Sequence, residues 1–262
     1  MRVFDFTHAL VRTPGRSVAL GLRDDPDAVP DYHAILKEHA AYVTALAGAG
    51  VHVDILPPLE AFPDSVFVED PALVFGDGAI LLRPGAPSRL GEREAMRAEL
   101  TRRFARVLEL KDGEYADGGD VLVTPQTIFI GLSKRTTAAG AAALVTHLAA
   151  LGRKGRIVAT PPGVLHFKTA VSLLAEDTLL ATPAMAAAGL FEGFDIVLTP
   201  PGEDAAANAL RVNDTVFAGA HFPRTIETLA KAGYAVTPLA VRETAKLDAG
   251  LSCMSLRWHA EA

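Results

Sequence analysis

One unit recurs along this chain: two short apolar strands, an amphipathic helix, a third strand and a Gly/Pro turn. It is clearest from "VEDPALVFGDGAILLRP" onward, residues 68–84, where Gly76-Asp77-Gly78 splits two apolar runs as a hairpin turn does. "SRLGEREAMRAELTRRF" follows, with Ser88 as N-cap and apolar residues on one helical face, and then the strand "RVLELK". The next copy turns its hairpin at Pro125-Gln126. Its helix lies in "RTTAAGAAALVTHLAALG", closed by Gly152, and its third strand in "GRIVAT". A third copy runs from "KTAVSLLAEDTLLATP" to "FDIVLTP", and a fourth from "ALRVNDTVFAGA" to "YAVTPL". The N-terminal "HALVRT", the helix in "DYHAILKEHAAYVTALAGAG" and the strand "HVDILPP" make most of a fifth. "SCMSLRW" at the other end of the chain supplies the strand this fifth copy lacks.

A unit of this size cannot bury its own apolar faces, so the copies must pack on one another. The pattern predicts an α/β fold: a five-bladed α/β propeller of repeated ββαβ units with pseudo-fivefold symmetry, one domain over residues 1–262. A sequential α/β sandwich is the alternative. The split copy favours the ring, because a C-terminal strand that completes an N-terminal unit closes a circle.

The chain's totals exclude several functions. It has 262 residues, half of them hydrophobic, a net charge of −6 and a single cysteine. One cysteine rules out an internal disulfide framework and a Cys-rich zinc site, and it fits a reducing compartment. No signal peptide and no membrane span are expected from the hydropathy pattern, so the expected location is cytoplasmic. The acidic balance argues against a nucleic-acid partner and is compatible with a small cationic substrate.

In each copy, the point where the third strand has ended and the next hairpin begins is equivalent. Glu69, Asp117, His166, Asn208 and Cys253 mark these five points, at intervals of about 45 residues. In a ring, equivalent points lie near the same end of one axis, so two carboxylates, a histidine, an amide and the only cysteine converge there. Cysteine, histidine and carboxylate form a nucleophile set, provided something cationic favours the thiolate. The bland reading of Cys253 is a small core residue beside a strand, and the residues alone leave both readings open. His33, His39 and His147 fall on helices and His259 on the tail, as solvated or helix-face residues. His8 and His221 fall on strands or loops. The run Asp64, Glu69, Asp70 is interleaved with Val66, Phe67 and Val68, which suggests a semi-buried loop rather than a solvated one.

Five motifs, "FPDSVFVEDP", "DGGDV", "GLSKRT", "LHFKT" and "DAGLSCMSLRW", together resemble the dimethylarginine dimethylaminohydrolase family of the guanidine-modifying pentein superfamily. The resemblance spans nearly the whole chain in one order, and the family's five-bladed α/β propeller agrees with the repeat reading. It implies that Cys253 is the nucleophile, His166 the general acid/base and Asp117 the carboxylate that holds the guanidinium. It makes Asp70 the second guanidinium-binding acid, with Glu69 beside it. Asp64 and the backbone of Leu22 would hold the substrate α-amine, and Arg89 with Arg135 the α-carboxylate. Phe67 would line the pocket, and Leu247 would offer backbone near Cys253. Asn208 receives no catalytic role.

The implied reaction is hydrolysis of Nω-methylated arginine to citrulline and an amine, with no metal and no cofactor. The implied partners are that small substrate and a possible homodimer mate, with neither nucleic acid nor membrane. An arginine deiminase, an amidinotransferase and a non-catalytic arginine-binding protein are the alternatives.

Overall fold

The computed structural model describes residues 2–260. Five three-stranded sheets, each built from one copy of the repeat, carry the chain. The second copy gives β3 (Ala72–Phe75), β4 (Gly78–Leu81), α2 (Glu92–Arg103) and β5 (Val107–Glu109). The third gives β6 (Val121–Val123), β7 (Ile128–Leu132), α3 (Ala138–Ala150) and β8 (Gly155–Ala159). The fourth gives β9 (Val171–Ala175), β10 (Thr178–Ala181), α4 (Pro183–Ala187) and β11 (Asp195–Leu198). The fifth gives β12 (Leu210–Val212), β13 (Thr215–Gly219), α5 (Pro223–Lys231) and β14 (Ala235–Leu239). The first copy is split as the sequence suggests: β1 (His8–Arg12), α1 (Tyr32–Gly48) and β2 (His52–Leu56) are completed by β15 (Ser255–Trp258).

Every sheet has the same wiring. The hairpin pairs antiparallel, as Ala72 with Leu81, and the helix returns the chain to pair a third strand parallel, as Ala79 with Val107. A parallel neighbour requires a crossover, and the helix supplies it. The ring closes where β15 pairs antiparallel with β1, Trp258 opposite His8.

The five apolar cores lie between sheets rather than within them. Leu10, Ala72, Leu81 and Trp258 pack the first copy on the second. Ile80, Val121, Ile130 and Leu144 pack the second on the third, and Leu122, Phe129, Val171 and Leu179 the third on the fourth. Leu174, Leu180, Val216 and Leu229 pack the fourth on the fifth, and Val11, Tyr42, Val212 and Phe217 the fifth on the first. Each copy therefore spends one face on each neighbour, and none folds alone.

Three local details differ from the sequence reading. Ser88 caps no helix: Pro87–Arg89 forms a 3-10 turn, and α2 begins three residues beyond its end with Gly91 at the N-cap. Glu92 and Glu94 in its first turn suit the positive end of the helix dipole instead. A short helix not anticipated from the repeat, α6 (Arg242–Ala245), precedes the cysteine segment. The Glu38 carboxylate caps it, accepting the N–H groups of Glu243 at 2.9 Å and Thr244 at 3.0 Å. His39 lies on α1 as expected but is buried rather than solvated, and that burial lowers it to about 4. No helix among the described residues is long and apolar enough to cross a membrane.

Candidate active site

The strands β6, β9, β12 and β15 each follow a short 3-10 turn: Gly118–Asp120, Phe167–Thr169, Asp204–Ala207 and Ser252–Met254. These turns form one end of the propeller axis. Asp117 and His166 are the residues immediately before two of them, and Cys253 sits within a third. A cavity of about 110 Å³ opens there. It is lined by Leu22, Asp64, Phe67, Asp70, Arg89, Asp117, Arg135, His166, Leu247 and Cys253, so every residue expected in the site except Glu69 reaches it. A larger cavity, about 460 Å³, lies elsewhere, between the hairpins around Phe75 and Pro125 and the segment around Trp258. Neither Cys253 nor His166 faces it, so chemistry rather than size identifies the site.

Buried acids dominate the smaller cavity. His166 Nε2 lies 3.2 Å from Asp117 Oδ2. Asp117 Oδ1 accepts the Gly85 N–H at 2.7 Å, which fixes the carboxylate plane. Burial disfavours a charged His166, but the Asp117 hydrogen bond and the negative charges of Asp70, Asp120 and Asp117 outweigh it and raise the imidazole to about 9. The resting histidine is therefore an imidazolium at neutral pH.

Asp70 is gripped by the Arg89 guanidinium and accepts the Gly119 N–H at 3.0 Å. Burial opposes its charge, yet Arg89 and His166 keep its carboxyl below the usual range. Gly119 has to lack a side chain here. A Cβ would lie 2.9 Å from His166 Nδ1 and 3.0 Å from Asp70 Oδ1.

Cys253 is buried, and its Sγ accepts the Gly250 N–H at 3.5 Å. Burial first, then the charges of Glu69 and Asp70, push the thiol up to about 12, against the opposing effects of the Gly250 N–H and Lys168. The resting sulfur is a neutral thiol, and a cation placed in the cavity would favour the thiolate.

Glu69 is a correction. Its carboxylate turns away from the cavity to the opposite side of the cysteine segment. There it meets Lys168 Nζ at 2.5 Å and Arg257 at 3.0 Å, and it accepts the Ser252 hydroxyl at 3.0 Å. Its backbone N–H donates to the Cys253 carbonyl at 3.2 Å. Glu69 thus braces the nucleophile from behind and cannot grip a ligand in front of it.

Arg89 and Arg135 are not an equivalent pair. Arg89 is buried and commits its donors to Asp70, to Glu92 at 2.8 and 2.9 Å, and to the carbonyls of Asp64 and Phe67. Two buried acids beside it make that commitment obligatory. Arg135 lines the cavity and enters none of the ion pairs among the described residues. Asp64 accepts the Leu22 N–H at 2.9 Å, and burial raises its carboxyl.

Sequence reasoning missed Arg23, Asp24, Leu165, Asp248 and Ala249, which also line the cavity. Asp248 adopts a left-handed φ of 53° and accepts the Asp24 N–H at 2.7 Å, tying the cysteine segment to the loop that carries Leu22. The signal was present as Asp-Ala-Gly, a turn composition. Asn208 turns out to be a brace: it donates to the Lys168 carbonyl at 3.2 Å and accepts the Ser252 N–H at 3.1 Å. His221 packs at a tilt against Phe222 and lines a neighbouring cavity that shares Asp24, Leu165, Asp248 and Ala249 with the first.

Asp70, Asp117 and His166 each present a nitrogen or oxygen atom within 4.8 Å of the others, and with His166 an imidazolium the two carboxylates are the groups left to hold a cation. A divalent ion would need the imidazole neutral, which the raised His166 opposes. A guanidinium prefers paired carboxylates that match its planar fork of donors.

The family model described as arginine deiminase matches residues 54–208. The N(G),N(G)-dimethylarginine dimethylaminohydrolase of Pseudomonas aeruginosa is 39% identical, covering 97% of this chain and 100% of its own. The protein of the same name from Streptomyces coelicolor is 35% identical, covering 95% of this chain and 96% of its own. A solved structure of the Pseudomonas aeruginosa enzyme, as a cysteine-to-serine variant complexed with citrulline, superposes with a TM-score of 0.93 over 97% of this chain and 100% of that one.

Proposed function

The chain belongs to the dimethylarginine dimethylaminohydrolase family, and we propose that it hydrolyses Nω-methylated arginines to citrulline and methylamine or dimethylamine. One observation carries the reading: a single narrow cavity gathers a buried thiol, an imidazolium and two guanidinium-matching carboxylates with a free arginine.

Asp70 and Asp117 take the guanidinium of the substrate, and Arg135 takes its α-carboxylate. Asp64 and the Leu22 backbone face the α-amine. The incoming cation offsets the negative charges that hold Cys253 protonated, so the thiol releases its proton to solvent as substrate docks. The thiolate attacks the central guanidinium carbon and forms a neutral tetrahedral adduct. The His166 imidazolium gives its proton to the methylated nitrogen, which leaves as the amine. A thiouronium cation remains on sulfur. Neutral His166 takes a proton from water, and the hydroxide adds to that carbon. Collapse expels the sulfur, which takes up the adduct's hydroxyl proton and returns to the resting thiol, and leaves the ureido group of citrulline. His166 is then an imidazolium again, and the amine departs protonated by solvent. The residues supply nucleophile, acid and base, so the scheme needs no cofactor. A free thiol as nucleophile fits the reducing cytoplasm.

The match to the arginine deiminase model makes unmethylated arginine the competing substrate, with ammonia as the leaving group. The deciding experiment is citrulline release from arginine, monomethylarginine and the asymmetric and symmetric dimethylarginines. Turnover of a methylated arginine that disappears in Cys253→Ser is expected. Activity confined to arginine, or retained by Cys253→Ser, overturns the proposal.

A further inference from the structure

Asp120 is fully buried, lies outside the cavity and enters no ion pair among the described residues. A carboxylate with no cationic partner is costly to bury, so its hydrogen bonds must account for it. Its two oxygens reach two other segments of the site, and its own N–H reaches a third. Oδ1 accepts the Phe167 N–H at 2.8 Å, the amide next to His166. Oδ2 accepts the Ser133 and Thr136 hydroxyls, both at 2.6 Å. Those hydroxyls in turn accept further N–H groups: Ser133 Oγ takes those of Arg135 at 2.9 Å and Thr136 at 3.1 Å, and Thr136 Oγ1 takes that of Asp117 at 3.1 Å. The Asp120 N–H closes the circuit on the Asp117 carbonyl at 3.0 Å.

We infer that Asp120 is a positioning residue of the reaction, a buried carboxylate hub that sets His166, Asp117 and Arg135 in register with one another. The inference rests on the proposed function for its kinetic consequences and on geometry for the rest. The three residues come from two blades and from three separate turns. Nothing else among the described residues bonds to all three turns at once. A carboxylate is the group suited to the position, because each of its oxygens only accepts. An amide presents one accepting end and directs N–H groups at whatever faces the other. Burial raises the Asp120 carboxyl, and the His166 charge with the Ser133, Thr136 and Phe167 hydrogen bonds opposes that rise; in its charged form Asp120 favours the imidazolium form of His166.

The two arms of the hub make separable predictions. Through Phe167 it aligns the proton donor, so Asp120→Asn lowers kcat about 100-fold, the scale of an ångström-sized misplacement. It also lowers the His166 titration midpoint, followed by NMR of the substrate-free protein. Through Ser133 it aligns Arg135, so Ser133→Ala raises KM for a methylated arginine about tenfold and changes kcat little, as expected for lost substrate binding. Wild-type kinetics in both variants overturn the inference. So does a kcat loss in Asp120→Asn that accompanies a fall in melting temperature with His166 titrating as in the wild type. If Asp120→Asn does not fold, Thr136→Val decides with Ser133→Ala: it removes the Asp117 arm, and an unchanged kcat then overturns the inference. Failure of the wild-type protein to turn over any methylated arginine sinks the proposed function instead. The His166 titration still tests the hub in that case.

Discussion

Glu69 and Asp70 are consecutive, yet their carboxylates lie on opposite sides of the cysteine segment. Asp70 faces the cavity with Arg89, and Glu69 faces Lys168, Arg257 and the Ser252 hydroxyl behind it. Both charges raise the Cys253 thiol. The two acids therefore share an electrostatic effect and divide the structural work.

Their substitution separates the two. Glu69→Gln removes a charge that raises the thiol, so the midpoint for iodoacetamide alkylation of Cys253 falls below that of the wild type while substrate binding survives. Asp70→Asn also removes a ligand-facing carboxylate and leaves Arg89 short of a partner. Its kcat/KM for methylated arginine falls about 100-fold or more, on the scale of one buried charge-assisted contact. Equal effects on KM from the two substitutions would contradict the division.

The pH dependence follows from His166. Its midpoint is raised from 6.5 to about 9 in the folded protein. A raised histidine contributes stability that is fully present below the unfolded value of 6.5 and is lost as pH rises through about 9. The same proton is the one given to the departing amine, so the proton-donating step fails above about 9. Asp117→Asn removes the first of the raising influences and should shift both the NMR titration of His166 and the alkaline limb of activity toward lower pH. A titration at an unshifted midpoint in that variant would assign the elevation to other groups.

The two arginines should respond differently. Arg89→Ala leaves Asp70 and Glu92 buried without their shared cation, and the fold loses about 3–5 kcal/mol, read by urea unfolding. Arg135→Ala strands no buried acid. Its unfolding midpoint stays near that of the wild type while KM rises about tenfold. Comparable destabilisation by both substitutions would mean that Arg135 carries a structural load not visible in its contacts.

Much of this was legible in the sequence because the repeat is written in local signals. Gly76-Asp77-Gly78 marks a hairpin, Gly152 ends a helix with φ of 72°, and the alternation of strands and helices leaves ring closure as the natural use for the C-terminal strand. Cys253, His166 and Asp117 could be placed together from equivalence alone. The direction of Glu69 could not be read, because residues 66–71 form turns, where consecutive side chains follow no period. The engagement of Arg89 depends on Asp70, nineteen residues earlier, and on Glu92, three residues on. The second carried a helical-spacing signal, and the first required the fold. Asp120 lies within "DGGDV", but a residue buried under the site has no sequence mark distinguishing it from one that lines it.

Gly119 offers the sharpest test of how tightly the turns close on the site. An alanine there would place its Cβ 2.9 Å from His166 Nδ1 and 3.0 Å from Asp70 Oδ1. Neither neighbour is free to yield: Asp70 is held by Arg89 and by the Gly119 N–H itself, and His166 by Asp117. Overpacking of this kind costs about 1–3 kcal/mol, so Gly119→Ala should still fold. The displaced imidazole and carboxylate should lower kcat about 100-fold, because the proton donor and the guanidinium grip move together. Citrulline release measured beside urea unfolding checks both halves. Activity within a factor of about two of wild type would mean that the imidazole has room the geometry does not provide.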